Sequence, residues 1–173
     1  VSELQYERVQ HYIQSGLKEG ATLLAGGLDK PMKANDADGS SSKNQPQQHY
    51  QSGYYIQPTI FANCTQDMTI WKEEIFGPVL CMTPFTTEEE AMQLANDSPY
   101  GLTHYIHSYD KQRRMRLSKR LQAGMVVMNG AGMSGSSPFG GVKQSGNSRE
   151  GGIWGLEDFC IVKAISGLSS FDE

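Results

Sequence analysis

The chain has 173 residues, 38% of them apolar and 20% charged, which is enough to bury a core and ordinary for a soluble protein mixing helix and strand. Its formal charge of -4 leaves no electrostatic case for nucleic acid or an anionic membrane, and no apolar run reaches the ~18 residues of a spanning helix. Three cysteines, Cys64, Cys81 and Cys160, form an odd set without metal-ligand spacing, so a reducing, cytoplasmic setting is expected and no metal site.

In chain order, Ser2-Glu3-Leu4-Gln5 is a capping box that predicts a helix over residues 3–19. Tyr6, Val9, Ile13 and Leu17 fall at helical spacing on its packed face, and Gly20 stands where a C-terminal cap belongs. A chain that starts this abruptly, without Met, is expected to be a piece of something longer. Residues 21–25 read as a short strand. Residues 28–52 lose all periodicity and are small and polar, the composition of a mobile surface insertion. Residues 54–61 return to strand composition, interrupted by Pro58, which calls for a break or a sheet edge.

Further along, residues 79–85 read as a strand, and Thr87 to Glu90 as a second capping box with acids in its first turn. Ala91, Leu94 and Ala95 supply the packed face of that helix. A strand at 102–107, a helix at 110–122 closed by Gly124, and a strand at 125–128 follow, with 156–165 read as a final strand and 166–173 as a loose tail. Strands alternating with helices predict an α/β fold: a mostly parallel, twisted sheet with helices on both faces, in a single unit over residues 1–165.

Several features invite chemistry and do not carry it. Six cations between Lys111 and Arg120 make a basic helix, but the chain as a whole is acidic, so a solvated face over Leu117 and Leu121 is expected. Gly130-Ala131-Gly132-Met133-Ser134-Gly135 has the glycine spacing of a dinucleotide fingerprint. A helix must open at its last glycine, and Ser136-Ser137-Pro138-Phe139 cannot start one, so a flexible loop rimming a pocket is expected. His104 and His107, three apart on a strand, face opposite ways and cannot share a metal. Cys81 and Cys160 fall in apolar strands, where thiols stay protonated, and nothing marks Cys64 as activated.

The stretch with most to say is Trp71-Lys72-Glu73-Glu74-Ile75-Phe76-Gly77-Pro78-Val79. Gly-Pro stops any regular element, so Glu74 and Phe76 are presented at a sharp corner feeding a strand. Rigidly held corners at strand ends are where side chains meet ligands; the bland alternative is a surface turn with two solvated acids.

Together with Gly53-Tyr54-Tyr55-Ile56-Gln57-Pro58-Thr59-Ile60-Phe61, Asn96-Asp97-Ser98-Pro99-Tyr100-Gly101-Leu102, Leu121-Gln122-Ala123-Gly124, Ser137-Pro138-Phe139-Gly140-Gly141-Val142-Lys143-Gln144-Ser145-Gly146, Arg149-Glu150-Gly151-Gly152 and Gly155-Leu156-Glu157-Asp158-Phe159, this stretch resembles the C-terminal part of the catalytic domain of the aldehyde dehydrogenase superfamily. The motifs occur in the family's order and cover nearly everything except residues 28–52. The resemblance implies an NAD(P)-dependent oxidation of an aldehyde to a carboxylic acid, with NAD as the default cofactor and a dimer or tetramer as the full-length assembly. It implies that Glu74 accepts hydrogen bonds from the nicotinamide ribose hydroxyls, that Phe76 packs beside the nicotinamide, and that Phe139 walls the aldehyde pocket, with residues 131–136 at its mouth. In the family a cysteine thiolate forms a hemithioacetal, hydride leaves for the nicotinamide, and a glutamate base directs hydrolysis of the thioester. Nucleophile, base and Gly-rich cofactor segment lie upstream of the matched region, so no catalytic residue is expected in this chain and the isolated polypeptide is expected to be inactive. The alternative is a truncated, non-catalytic module that self-associates through exposed sheet edges.

Overall fold

The computed structural model describes residues 2–31 and 52–167, so most of the expected insertion at 28–52, and the tail beyond 167, lie outside the described residues. The fold is mixed α/β with parallel strand pairs, in two compact units, Val1–Thr86 and Thr87–Glu173.

In the first unit, helix α1 spans Glu3–Lys18. The Ser2 hydroxyl accepts from the Gln5 N–H at 3.3 Å, as the capping box predicts, and Gly20 follows at φ 93°. The buried face carries Val9, Tyr12, Ile13 and Gly16, so it is rotated from the expected Tyr6–Leu17 stripe, and Leu17 is exposed. Gly16 sets the rotation: a Cβ there would meet Ile70 at 2.8 Å and Phe61 at 3.2 Å, so only glycine lets the helix lie this close. Strand β1 (Thr22–Ala25) pairs antiparallel with β2 (Thr59–Ala62), which pairs parallel with β3 (Val79–Cys81). A short helix α2, Thr69–Lys72, lies between β2 and β3. Phe61, Ile13, Val9 and Cys64 are essentially sealed in this core; each large apolar side chain so buried contributes about 1.5–3 kcal/mol.

In the second unit, α3 (Glu88–Asn96) starts on Thr87, whose hydroxyl accepts from the Glu90 N–H at 3.1 Å. Met92, not the expected Ala91, Leu94 and Ala95, is its fully buried residue. Strands β4 (Thr103–Ile106) and β5 (Met125–Met128) pair parallel across α4 (Lys111–Ser118), a βαβ unit in the predicted order. A 3-10 turn at Lys143–Ser145 and helix α5 (Gly152–Glu157) complete it.

Several expectations about single elements need correction. The final strand expected over 156–165 does not form: Leu156 belongs to α5, and Phe159, Ile161 and Val162 stand at least 90% exposed, with no strand beside them among the described residues. A β-rich composition makes a strand only where a partner offers its ladder of N–H and C=O groups. Cys160 accordingly lies exposed rather than inside an apolar strand. The strand expected over 54–61 begins only at Thr59, because Pro58 has no N–H to give a ladder. The helix expected over 110–122 ends at Ser118, and β1 joins its sheet antiparallel.

Candidate functional site

In the first unit, the corner at residues 73–78 is built from three constraints. Helix α2 stops at Lys72, and Glu73 is already extended at φ -111°, ψ 146°. Ile75 is driven into the core, 8% exposed, while Glu74 and Phe76 on either side are exposed. Phe76 sits at φ 53°, the left-handed region that a bulky side chain adopts only under constraint. The Gln5 amide of α1 donates to the Phe76 carbonyl at 2.8 Å, and a Cβ on Gly77 would strike Val9 at 2.6 Å, so α1 presses on the corner from below. Pro78 then starts the ladder: its carbonyl accepts from the Thr59 N–H at 2.8 Å.

The outcome is a carboxylate and an aromatic ring, Phe76 being 66% exposed, presented on either side of the buried Ile75 from a fixed backbone. A carboxylate there offers acceptors to a vicinal diol, and a free ring face offers a flat apolar surface. Tyr12, buried in α1, donates from its phenol to Glu73 Oε2 at 2.8 Å, a contact the spacing of α1 alone did not single out. Tyr12 falls one turn beyond Val9, so the helical period contained the signal.

The thiols of this unit are structural. Cys64 is sealed, and Cys81 donates toward the Ile70 carbonyl at 3.4 Å. Burial, reinforced by the neighbouring Cys64, pushes the Cys81 thiol up to about 12, so it stays protonated at neutral pH.

In the second unit, Phe139 is held by an isolated antiparallel bridge to Glu150, with N–H to carbonyl distances of 2.8 and 2.7 Å. Its ring is 48% exposed. The Arg149 guanidinium donates to the carbonyls of Gly141, Asn147 and Ser148, closing the turn behind it. Lys143, at φ 57°, donates to the carbonyls of Asn96 and Ser98 at 2.8 and 2.9 Å, a cation on the C-terminal end of α3. Gly124 packs so tightly that a Cβ would come within 2.0 Å of the Gly140 carbonyl oxygen.

The loop before Phe139 is anchored at its start by Asn129, whose side chain accepts from the Ser108 N–H at 2.9 Å and donates to the Ser108 carbonyl at 3.0 Å. No helix opens at Gly135, so the glycine-spaced segment lacks the helix N-terminus that a pyrophosphate needs. His104 is half-buried, with Nε2 unpaired, and burial, then the Lys143 charge, hold its imidazole below the ordinary value; His107 is exposed one residue past β4. Among the described residues no group of His, Cys, Asp and Glu could hold a metal ion.

The sequence profile of the aldehyde dehydrogenase family matches residues 1–165, and the chain belongs to that family. It is 46% identical over 166 residues to a 3-succinoylsemialdehyde-pyridine dehydrogenase of Pseudomonas sp, covering 96% of this chain and 31% of that protein. It is 45% identical over 171 residues to the peroxisomal aminoaldehyde dehydrogenase 1 of Pisum sativum, covering 98% of this chain and 31% of that protein. A crystal structure of a mutant aldehyde dehydrogenase C from Pseudomonas syringae, in complex with NAD+ and octanal, superposes with a TM-score of 0.83 at 37% identity, over 99% of this chain and 32% of that one. The chain thus spans about a third of the length of the relatives it matches.

Proposed function

We propose that this chain is part of an NAD(P)-dependent aldehyde dehydrogenase and supplies the nicotinamide-ribose contact and one wall of the aldehyde pocket, while the rest of the parent supplies the nucleophile, the base and the remaining cofactor contacts. The observation that carries the reading is the exposed Glu74–Phe76 pair on a constrained, left-handed corner. These residues fit the nicotinamide end of the cofactor: Glu74 would accept from the ribose hydroxyls and Phe76 would lie against the ring. When bound, the cofactor accepts the hydride. This chain's part is to orient and to exclude water, Phe139 favouring the dehydrated aldehyde on its apolar face.

The pyrophosphate end finds no cradle in the glycine-spaced loop; Cys64 is sealed in the core, and the partly buried Cys81 thiol is held protonated, so neither is suited to attack a carbonyl. Both points support a division of labour in which the isolated chain is inactive. The matched span, 1–165, crosses both compact units, which supports reading them as portions of one catalytic domain. Placement toward the C-terminal end of the parent rests on the order of the motifs. NAD is the default cofactor, as in the complex of the Pseudomonas syringae relative. A cytoplasmic location rests on cysteine usage alone, and the pea relative is peroxisomal. Exposed Ile161, Val162 and Ile165 support homo-oligomeric assembly, or in the second reading a non-catalytic interaction module.

The test is Glu74→Gln in the full-length parent. Weaker NAD binding and slower hydride transfer are expected, while unchanged cofactor affinity and turnover would remove Glu74 from the site. Aldehyde-dependent NADH formation by the 173-residue chain alone, abolished by Cys64→Ala, would overturn the division of labour.

A further inference from the structure

Glu74 is bracketed by two residues that α1 holds. On one side the Tyr12 phenol donates to Glu73 Oε2 at 2.8 Å, and the Arg8 guanidinium, 5.7 Å from the Tyr12 ring centroid, donates to the phenol oxygen at 3.4 Å. On the other side the Gln5 amide donates to the Phe76 carbonyl at 2.8 Å. Val9 fills the space between and excludes any side chain at position 77. Residues 5, 9 and 12 recur on one helical face, so a single face of α1 reads the corner at 76, 77 and 73 in turn.

We propose that Tyr12 and Gln5 are positioning residues of the cofactor site, fixing the direction of the Glu74 carboxylate and the Phe76 ring through their hold on Glu73 and on the Phe76 carbonyl. The proposal rests on the cofactor reading of Glu74 and Phe76. Its physical basis is that an extended residue sends its side chain opposite to its neighbour's. With Glu73 turned to the phenol and Ile75 sunk in the core, Glu74 has one way to face. Phe76 keeps its left-handed backbone against its intrinsic preference because Gln5 occupies its carbonyl and Val9 crowds the glycine after it. The Tyr12 ring contributes to the core by itself, being 5% exposed, so the hydroxyl can be removed without removing the packing.

The experiment uses the full-length parent enzyme with Tyr12→Phe, Gln5→Ala, Glu74→Gln and the double variant Tyr12→Phe/Glu74→Gln. NAD affinity is measured by titration without aldehyde, together with kcat, KM for aldehyde and the thermal midpoint. Tyr12→Phe is expected to weaken NAD binding by about tenfold, the scale of one lost hydrogen bond to a charged group. KM for aldehyde should stay within about twofold, a small fraction of that loss. Gln5→Ala should act in the same direction. The double variant should bind NAD no more weakly than Glu74→Gln alone, because Tyr12 acts only through the placement of Glu74.

Tyr12→Phe with normal NAD affinity, or a loss that adds in full to that of Glu74→Gln, overturns the positioning role and leaves the cofactor reading intact. If Glu74→Gln itself binds NAD normally, the cofactor reading falls and takes this inference with it.

Discussion

Glu19, which closes α1, opens α2: its carboxylate accepts from the Thr69 N–H at 2.7 Å and from the Thr69 hydroxyl at 2.6 Å, across 50 residues of sequence. The preceding Met68 offers no side-chain cap, so the helix that leads to the Glu74 corner borrows its N-terminal acceptor from α1. The Thr69 hydroxyl, first among several donors, holds the Glu19 carboxyl below its ordinary value. A depressed folded value means that the contribution is present above the ordinary value of 4.5 and is lost as pH falls through the folded value. Glu19→Ala should cost at most about 1 kcal/mol at neutral pH, the range of a lost cap reduced by solvent screening of this exposed carboxylate. Thermal midpoints measured against pH should show the gap to wild type closing below 4.5, and a gap that persists there would deny the carboxylate this role.

His104 gives a second pH dependence of opposite chemistry and the same sign. Burial, with the Lys143 charge behind it, depresses its folded value below 6.5. Just below 6.5 the unfolded chain holds a proton that the folded chain does not, so stability falls as pH falls. His104→Gln should flatten the slope of stability against pH between about 5 and 7. A slope identical to wild type would show that another group carries it.

The closeness of Gly124 to Gly140 ties β5 to the Phe139 segment. Gly124→Ala must push the Gly140 carbonyl aside, at about 1–3 kcal/mol for an overpacked site, and should disturb Phe139 next in sequence. Gly132, with nothing within 4 Å of its virtual Cβ, is the contrast. Gly132→Ala should change stability by less than about 1 kcal/mol, with either sign small. Equal losses for the two variants in denaturant titration would show that packing at Gly124 is not the cause.

What was legible in the sequence follows the range of the interactions involved. Ser2, Thr87 and Asp110 cap their own helices within three residues, so the starts of α1, α3 and α4 could be read locally. The corner after Lys72 was legible because Gly77-Pro78 is a stop in any context. Illegible was whatever depended on a distant partner. The rotation of α1 is set by Phe61 and Ile70 closing on Gly16, and the Tyr12–Glu73 contact spans 61 residues. The segment after α5 carries strand composition but no ladder, because β-propensity describes a surface waiting for a partner rather than a backbone preference. Glu74, Phe76 and Phe139 could be singled out as candidates in the sequence and stand exposed in the structure, whereas Gln5, Lys143 and Asn129, which hold nearby backbone, could not.

The basic run on α4 makes the last prediction. Arg116 donates to both oxygens of Glu88 at 2.7 and 2.8 Å, Arg113 stands 3.4 Å from Glu88, and Arg120 reaches Glu89 at 2.5 Å. Arg114 turns back to the Ser108 carbonyl. The cations thus answer acids at the start of α3, and a polyanion would have to displace those acids before gaining a contact. Phosphate binding by so few remaining charges is steeply salt-dependent, so retention on duplex DNA at about 0.2 M salt should be negligible. Glu88→Gln/Glu89→Gln frees the guanidinium groups and should raise retention at low salt, with a steeper salt slope than wild type. Strong binding by the wild type at about 0.2 M salt, unaffected by the double variant, would mean that α4 is a nucleic-acid surface and that its acids are bystanders.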